Sequence, residues 1–148
     1  MERKVDDVGP AFYHVCFTVP DLEAAMTELT DLVGVTWGEP IRSQFGDWPY
    51  SLAFSTVAPH FELISSVVGS PWHSEQPGFH HLGWWSHCLD ETLAGWVDRG
   101  AEPLFDGRHH GRRFGYVDAP ASGVRLEAVD IGQRKAFVQR WSDKPDSV

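Results

Sequence analysis

The 148-residue chain repeats itself, and the repeat limits its fold more than any other feature. Phe12–Glu23 reads F-Y-H-V-C-F-T-V-P-D-L-E, and Phe79–Asp90 reads F-H-H-L-G-W-W-S-H-C-L-D. His14 and His81 each open a strand-like run, and each is followed eight residues later by a leucine and an acid, Leu22-Glu23 and Leu89-Asp90. The offset persists downstream. The two histidines are 67 residues apart, Glu62 and Glu127 are 65 apart, and Gly38-Glu39-Pro40 has a counterpart in Ala101-Glu102-Pro103. Small differences in loop length account for a drift of two residues, whereas chance accounts poorly for the whole set. A repeated unit of this size is one supersecondary motif used twice.

Hydrophobic patterning gives the content of each unit. Phe12–Val19 alternates and is rich in β-branched and aromatic residues, so it predicts a strand that ends at Pro20. Leu22, Ala25, Met26, Leu29, Leu32 and Val33 recur at helical spacing between an Asp21 N-cap and Gly34. Strands are then predicted over Thr36–Arg42, Tyr50–Val57 and His60–Ser66, with Phe45–Pro49 as a loop and a turn at Ala58-Pro59. Gly69–Gly78 reads as a linker. After it come a strand at His81–Ser86, a helix at Leu89–Arg99 and strands at Ala101–Phe105, Phe114–Asp118 and Val124–Ile131. The expected fold is α+β, with a first βαβββ module over 11–68, a linker over 69–78 and a second βαβββ module over 79–131. A C-terminal helix anchored by Ala136, Phe137 and Trp141 and a short tail fill 132–148, and the first ten and last seven residues are expected to be loose.

Composition excludes several classes of function. A net charge of −9 does not suit general nucleic-acid binding, which needs a basic surface. Two cysteines, Cys16 and Cys88, make neither a disulfide framework nor a CxxC knuckle, which suits a reducing cytoplasm. No apolar run is long enough for a membrane span, and the charged MERKVDDVGP start has no secretory pattern. Seven Trp and nine Phe are many for this length and fit either a core or a small-molecule pocket.

Four residues occupy equivalent places in the repeat: His14 and His81 on the first strands, Glu62 and Glu127 on the last. Two imidazoles and two carboxylates, with no thiolate, make a donor set for a divalent first-row metal. Taken singly, a His or Glu on a strand is more often a surface group than a ligand. Glu62, however, lies between Phe61 and Leu63, and Glu127 between Leu126 and Ala128, so each carboxylate faces away from its apolar neighbours. A carboxylate on an enclosed face needs a partner or an ion.

The segments H-V-C-F-T-V-P-D-L-E-A-A, H-F-E-L-I-S-S, G-F-H-H-L-G-W-W-S and G-V-R-L-E-A-V-D resemble the vicinal oxygen chelate superfamily. That superfamily includes glyoxalases, methylmalonyl-CoA epimerases, extradiol dioxygenases and bleomycin-type resistance proteins. The resemblance implies a curved eight-stranded sheet around a central metal pocket, with His14, Glu62, His81 and Glu127 at the ligand positions. It implies a divalent ion (Zn, Ni, Co, Mn or Fe), a small-molecule substrate and a homodimer. The activity implied is a metal-dependent isomerase or lyase acting on a small carbonyl compound through a metal-stabilised enolate. Glu127 is the first choice of base and Glu62 the second. A non-catalytic binder of the same fold is the alternative, and a ring-cleaving dioxygenase the third reading.

The ligand set is similar to that of small bacterial glyoxalases, whereas H-H-L-G-W-W and the second helix look closer to the epimerase branch. Epimerases carry a further glutamate on the third strand. Here that strand reads Tyr50-Ser51-Leu52-Ala53-Phe54-Ser55, with Asp47 as the nearest acid. Dioxygenase chemistry lacks a clear acid–base histidine, His109, His110 and Tyr116 being the candidates, and Glu62 crowds the positions that oxygen needs.

Strand parity adds Cys16, Thr18, Gly83, Trp85, Arg125 and Val129 to the ligand-bearing face. Cys16, Thr18, Trp85, Arg125 and Tyr116 are the substrate-binding candidates. Arg125 can meet an anionic group or form a structural ion pair, and Trp85 can stack on a substrate or pack the sheet. The loop Gly107–Arg113 holds three arginines and suits either a solvated surface or an anionic tail. His80 falls on the opposite face from His81, in a supporting or structural role.

Overall fold

The computed structural model describes residues 9–142, with side chains through Gln139. The expectations for the first eight and last six residues, and for the Trp141 anchor, lie outside what it describes.

The order of elements is strand, helix and three strands, twice over. β1 (Ala11–Val19), α1 (Leu22–Val33), β2 (Ile41–Phe45), β3 (Trp48–Phe54) and β4 (His60–Ser65) come first. β5 (Gly78–Ser86), α2 (Leu89–Asp98), β6 (Glu102–Asp106), β7 (Phe114–Ala119) and β8 (Val124–Asp130) repeat them, and α3 (Arg134–Ser142) follows. The hydrogen-bonded order of the eight strands is β2-β3-β4-β1-β5-β8-β7-β6. The first and last strands of each repeat run parallel as neighbours, β1 with β4 and β5 with β8, while the other described pairs are antiparallel. The fold is α+β, as the two βαβββ units predicted. Among the described residues no helix is long and apolar enough to cross a membrane.

By contact the chain divides into two compact units, His14–His81 with the segment from Lys135 on, and Leu82–Arg134 with the segment up to Tyr13. In the first unit, α1 lies over β3 and β4. Val19, Leu22, Trp37, Ala53 and Leu63 form a buried cluster to which Phe17, Ala25, Met26, Leu29 and Phe61 add. The helix begins where an Asp21 carboxylate oxygen accepts from the Ala24 N–H at 3.0 Å, and ends at Gly34 with φ 73°. In the second unit, Leu89, Leu93, Val117 and Ala128 form the corresponding cluster, with Trp96, Ala101 and Leu126 around them. Gly115 gives α2 its seat, since a Cβ there would lie 2.7 Å from Leu93 Cδ1.

One stretch departs from the sequence reading. The strand predicted at Thr36–Arg42 is only a bridge between Trp37 and Ser55, and the true β2 begins at Ile41. The predicted Phe45–Pro49 loop is a hairpin whose two turn residues are Gly46 and Asp47, with Phe45 paired to Trp48. Gly46 has φ 58°, as a glycine leading a two-residue hairpin turn does. Pro49 is tolerated because β3 pairs with β4 only from Leu52 on, so no β4 residue needs an N–H from it.

Candidate metal centre

The two core clusters settle which way each strand faces. Phe17 and Val19 of β1, and Phe61 and Leu63 of β4, pack under α1, so His14, Cys16, Thr18 and Glu62 face the other side. Leu126 and Ala128 pack under α2, so Glu127 likewise faces away from its helix. Register repeats this arrangement within each unit. Glu62 stands opposite Cys16, two residues after His14, and Glu127 stands opposite Gly83, two residues after His81. Glu62 and Glu127 are each about nine-tenths buried.

Within the unit of residues 14–81 three of the predicted ligands meet. His14 Nε2 is 2.9 Å from His81 Nε2, and Glu62 Oε1 is 3.2 Å from the first and 3.5 Å from the second. Both imidazoles are 1% exposed. Donors about 2.0–2.1 Å from one ion, subtending about 90–110° there, stand about 2.9–3.5 Å apart. The three separations in the protein fall in that range, so the donor set fits a divalent first-row ion. Burial works against the Glu62 carboxylate. Hydrogen bonds from His14 and then His81, with their charge, outweigh it and hold its carboxyl well below the usual carboxylate range.

Several further residues surround this cluster. Phe54, the cross-strand neighbour of Glu62, sets its ring edge-on to His14 at 5.4 Å between centroids, and Phe137 of α3 covers Phe54 at 5.2 Å. His60, beside His14 in the β1–β4 register, binds the Ser55 carbonyl through Nδ1 at 2.7 Å, and burial lowers its pKa. His80 lies with its Nδ1 2.7 Å from His81 Nδ1 and its Nε2 2.7 Å from the Pro71 carbonyl. The sequence puts His80 in a supporting or structural role, and the contacts to His81 and Pro71 come from the fold.

The substrate-binding candidates have varied surroundings. Cys16 and Thr18 are fully buried, and Cys16 offers its sulfur within 4.8 Å of ring nitrogens of His80 and His81. Trp85 is buried and stacks on Tyr13, with centroids 3.8 Å apart and planes within 10°. Arg125 forms an ion pair with Asp118 across β7 and β8, Nε to Oδ1 3.1 Å. Tyr116 is the cross-strand neighbour of Glu127 and lines a cavity of about 630 Å³ between α2 and β6–β7, with Leu93, Val97, Phe105 and Arg108. None of the four predicted ligands lines that cavity. Two arginines of the Gly107–Arg113 loop are held in ion pairs: Arg108 with Asp106 and Asp90, and Arg113 with Asp130.

Comparison with known proteins agrees with the fold. The family model of the glyoxalase/bleomycin resistance protein/dioxygenase superfamily matches residues 4–116. No curated protein matches the sequence. Among solved structures, methylmalonyl-CoA epimerase from Mycobacterium tuberculosis is similar at TM-score 0.62 and 17% identity, over 86% of this chain and 91% of that one. A variant of the Streptomyces coelicolor epimerase in complex with 2-nitronate-propionyl-CoA is similar at 0.59 and 16%, over 83% and 98%. A mutant of 4-hydroxymandelate synthase from Streptomyces coelicolor is similar at 0.60 and 14%, over 82% of this chain and only 49% of that one. With three-quarters of its length matched by one family model, the chain belongs to the glyoxalase/bleomycin resistance protein/dioxygenase superfamily.

Proposed function

We propose that the protein is a divalent-metal-dependent isomerase or lyase acting on a small carbonyl compound. The observation that carries this reading is the meeting of two imidazole nitrogens and one carboxylate oxygen, all buried, at separations suited to one ion. Glu127 completes the set in this reading, because it holds in its own unit the register position that Glu62 holds in the other. The donors are then His14, Glu62, His81 and Glu127. An ion held there supplies Lewis-acid polarisation of a substrate carbonyl oxygen.

The chain's own residues do the remainder. Glu62, engaged by both imidazoles, is committed to holding the centre as an anion. Glu127 is the proposed base, taking a proton from the carbon next to the carbonyl and returning it. Phe54 and Phe137 keep the His14 side apolar, which strengthens each electrostatic contact made there. The epimerases that share this fold are enzymes of coenzyme A thioesters, so thioesters are one substrate class to test, with hemithioacetals as the other.

The test is metal analysis followed by hydrogen exchange. Purified protein should carry or take up about one divalent ion per chain, and His14→Ala and Glu127→Ala should lose it. The loaded protein should exchange the α-proton of a thioester or hemithioacetal with deuterium. Wild-type protein that takes up no ion refutes the metal reading. Metal binding without exchange across both panels points to a binder of the same fold.

A further inference from the structure

We infer that His80 is a positioning residue that fixes the tautomer of His81, and that the Pro71 carbonyl sets the tautomer of His80. The inference rests on the metal-site reading above and extends it to residues outside the donor set. Three contacts in series carry it: Pro71 O to His80 Nε2 at 2.7 Å, His80 Nδ1 to His81 Nδ1 at 2.7 Å, and His81 Nε2 to Glu62 Oε1 at 3.5 Å.

Where an ion replaces the proton between His81 Nε2 and Glu62, two neutral rings have one solution. A backbone carbonyl only accepts, so His80 Nε2 carries the hydrogen and donates it to Pro71. His80 Nδ1 is then bare and accepts, so His81 Nδ1 carries the hydrogen and donates it to His80. His81 Nε2 is left bare, with its lone pair on the side of His14 and Glu62. A ligand histidine needs that state at the coordinating nitrogen, and a partner on the other nitrogen is the usual way to fix it.

The far end of the series is held firmly, although Ser66–Pro77 contains no helix or strand. Trp72 is buried against the rings of Phe45, Trp48 and Tyr50, at centroid distances of 5.5, 6.2 and 5.8 Å. The Ser70 hydroxyl donates to the Val67 carbonyl and accepts from the Trp72 N–H, and Ser66 and Ser74 bond to each other twice at 2.9 Å. The linker between the two repeats thus acts as a fixed hydrogen-bond acceptor for the metal centre. An aromatic cluster on the β2–β3 hairpin anchors it.

The experiment is long-range nitrogen–proton correlation NMR of histidine-labelled, zinc-loaded wild-type protein, alongside zinc titration of three variants. The expected spectrum has His80 protonated at Nε2 and His81 at Nδ1. His80→Phe, which has no acceptor, should weaken zinc affinity about 10- to 100-fold. His80→Asn places an oxygen acceptor near the Nδ1 position and should stay within about threefold of wild type. Trp72→Ala, which loosens the Pro71 carbonyl, should fall between the two. His80 protonated at Nδ1 in the zinc-loaded wild type, or folded His80→Phe binding zinc as tightly as wild type, overturns the inference. If wild type binds no ion, the proposed function fails and the inference with it; if it binds one but His80 is protonated at Nδ1, the inference alone fails.

Discussion

His14 Nε2 and His81 Nε2 stand 2.9 Å apart, on strands that hold equivalent places in a repeated unit. Two imidazole lone pairs at that separation repel unless a proton or a cation lies between them. A cation that binds the folded state alone also stabilises it, by about 2.7 kcal/mol when its concentration is a hundredfold above Kd. Zinc should therefore raise the thermal midpoint of the wild type, a chelator should reverse the shift, and His81→Ala should abolish it. A scanning-fluorimetry series with zinc and EDTA measures this, and equal shifts in wild type and variant contradict it.

Glu62 and Glu127 should respond differently to removal of their charge. Glu62 is bonded by both imidazoles, so Glu62→Gln should act first on metal affinity. Glu127→Gln, in the proposed base, should lower α-proton exchange by about 10²- to 10⁴-fold at saturating metal. Measuring metal content and exchange rate on both variants separates the roles, and the reverse pattern would exchange the two assignments.

His60 makes stability depend on pH. Burial lowers its pKa; the bond to Ser55 opposes this and the charge of His14 adds to it. The unfolded chain, with a pKa of about 6.5, therefore takes up the proton first as pH falls. The stability contributed by keeping His60 neutral is full above that value, and it is lost as pH drops from there toward the lowered folded value. His60→Asn keeps a donor for Ser55 without the titration, so its thermal midpoint should fall less than that of wild type between pH 7.5 and 5.5. Parallel curves would rule out His60 as the source.

Two glycines should tolerate alanine unequally. A Cβ at Gly107 would meet the Phe114 carbonyl oxygen at 2.7 Å and its ring at 2.7 Å, whereas one at Gly115 would meet only Leu93 side-chain atoms. Backbone cannot yield as a leucine terminus can. Gly107→Ala should cost about 1–3 kcal/mol, and Gly115→Ala less. Denaturant melts of both proteins give the order, which is the point at issue.

The parts of the fold that could be read from the sequence have local causes. α1 falls on its predicted residues because Asp21 and Gly34 bound it by chemistry confined to a few positions. Glu62 and Glu127 could be assigned a face because strand alternation places them against apolar neighbours. β2 was misplaced because Arg42, Ser43 and Gln44 are exposed and give no alternation, while Gly46, Asp47 and Pro49 read as a loop although only two residues turn. Phe54, His80 and Phe137 owe their positions to contacts between distant segments, and residue type alone does not encode these.

The register of the two glutamates has a further consequence. Across the strands Glu62 is flanked by Cys16 and Phe54, and Glu127 by Gly83 and Tyr116. The neighbours of the two carboxylates differ, a thiol and a phenyl ring at Glu62 and hydrogen and a phenol at Glu127. A change beside one carboxylate therefore leaves the surroundings of its counterpart as they were, so the duplicated frame carries two separately adjustable acids.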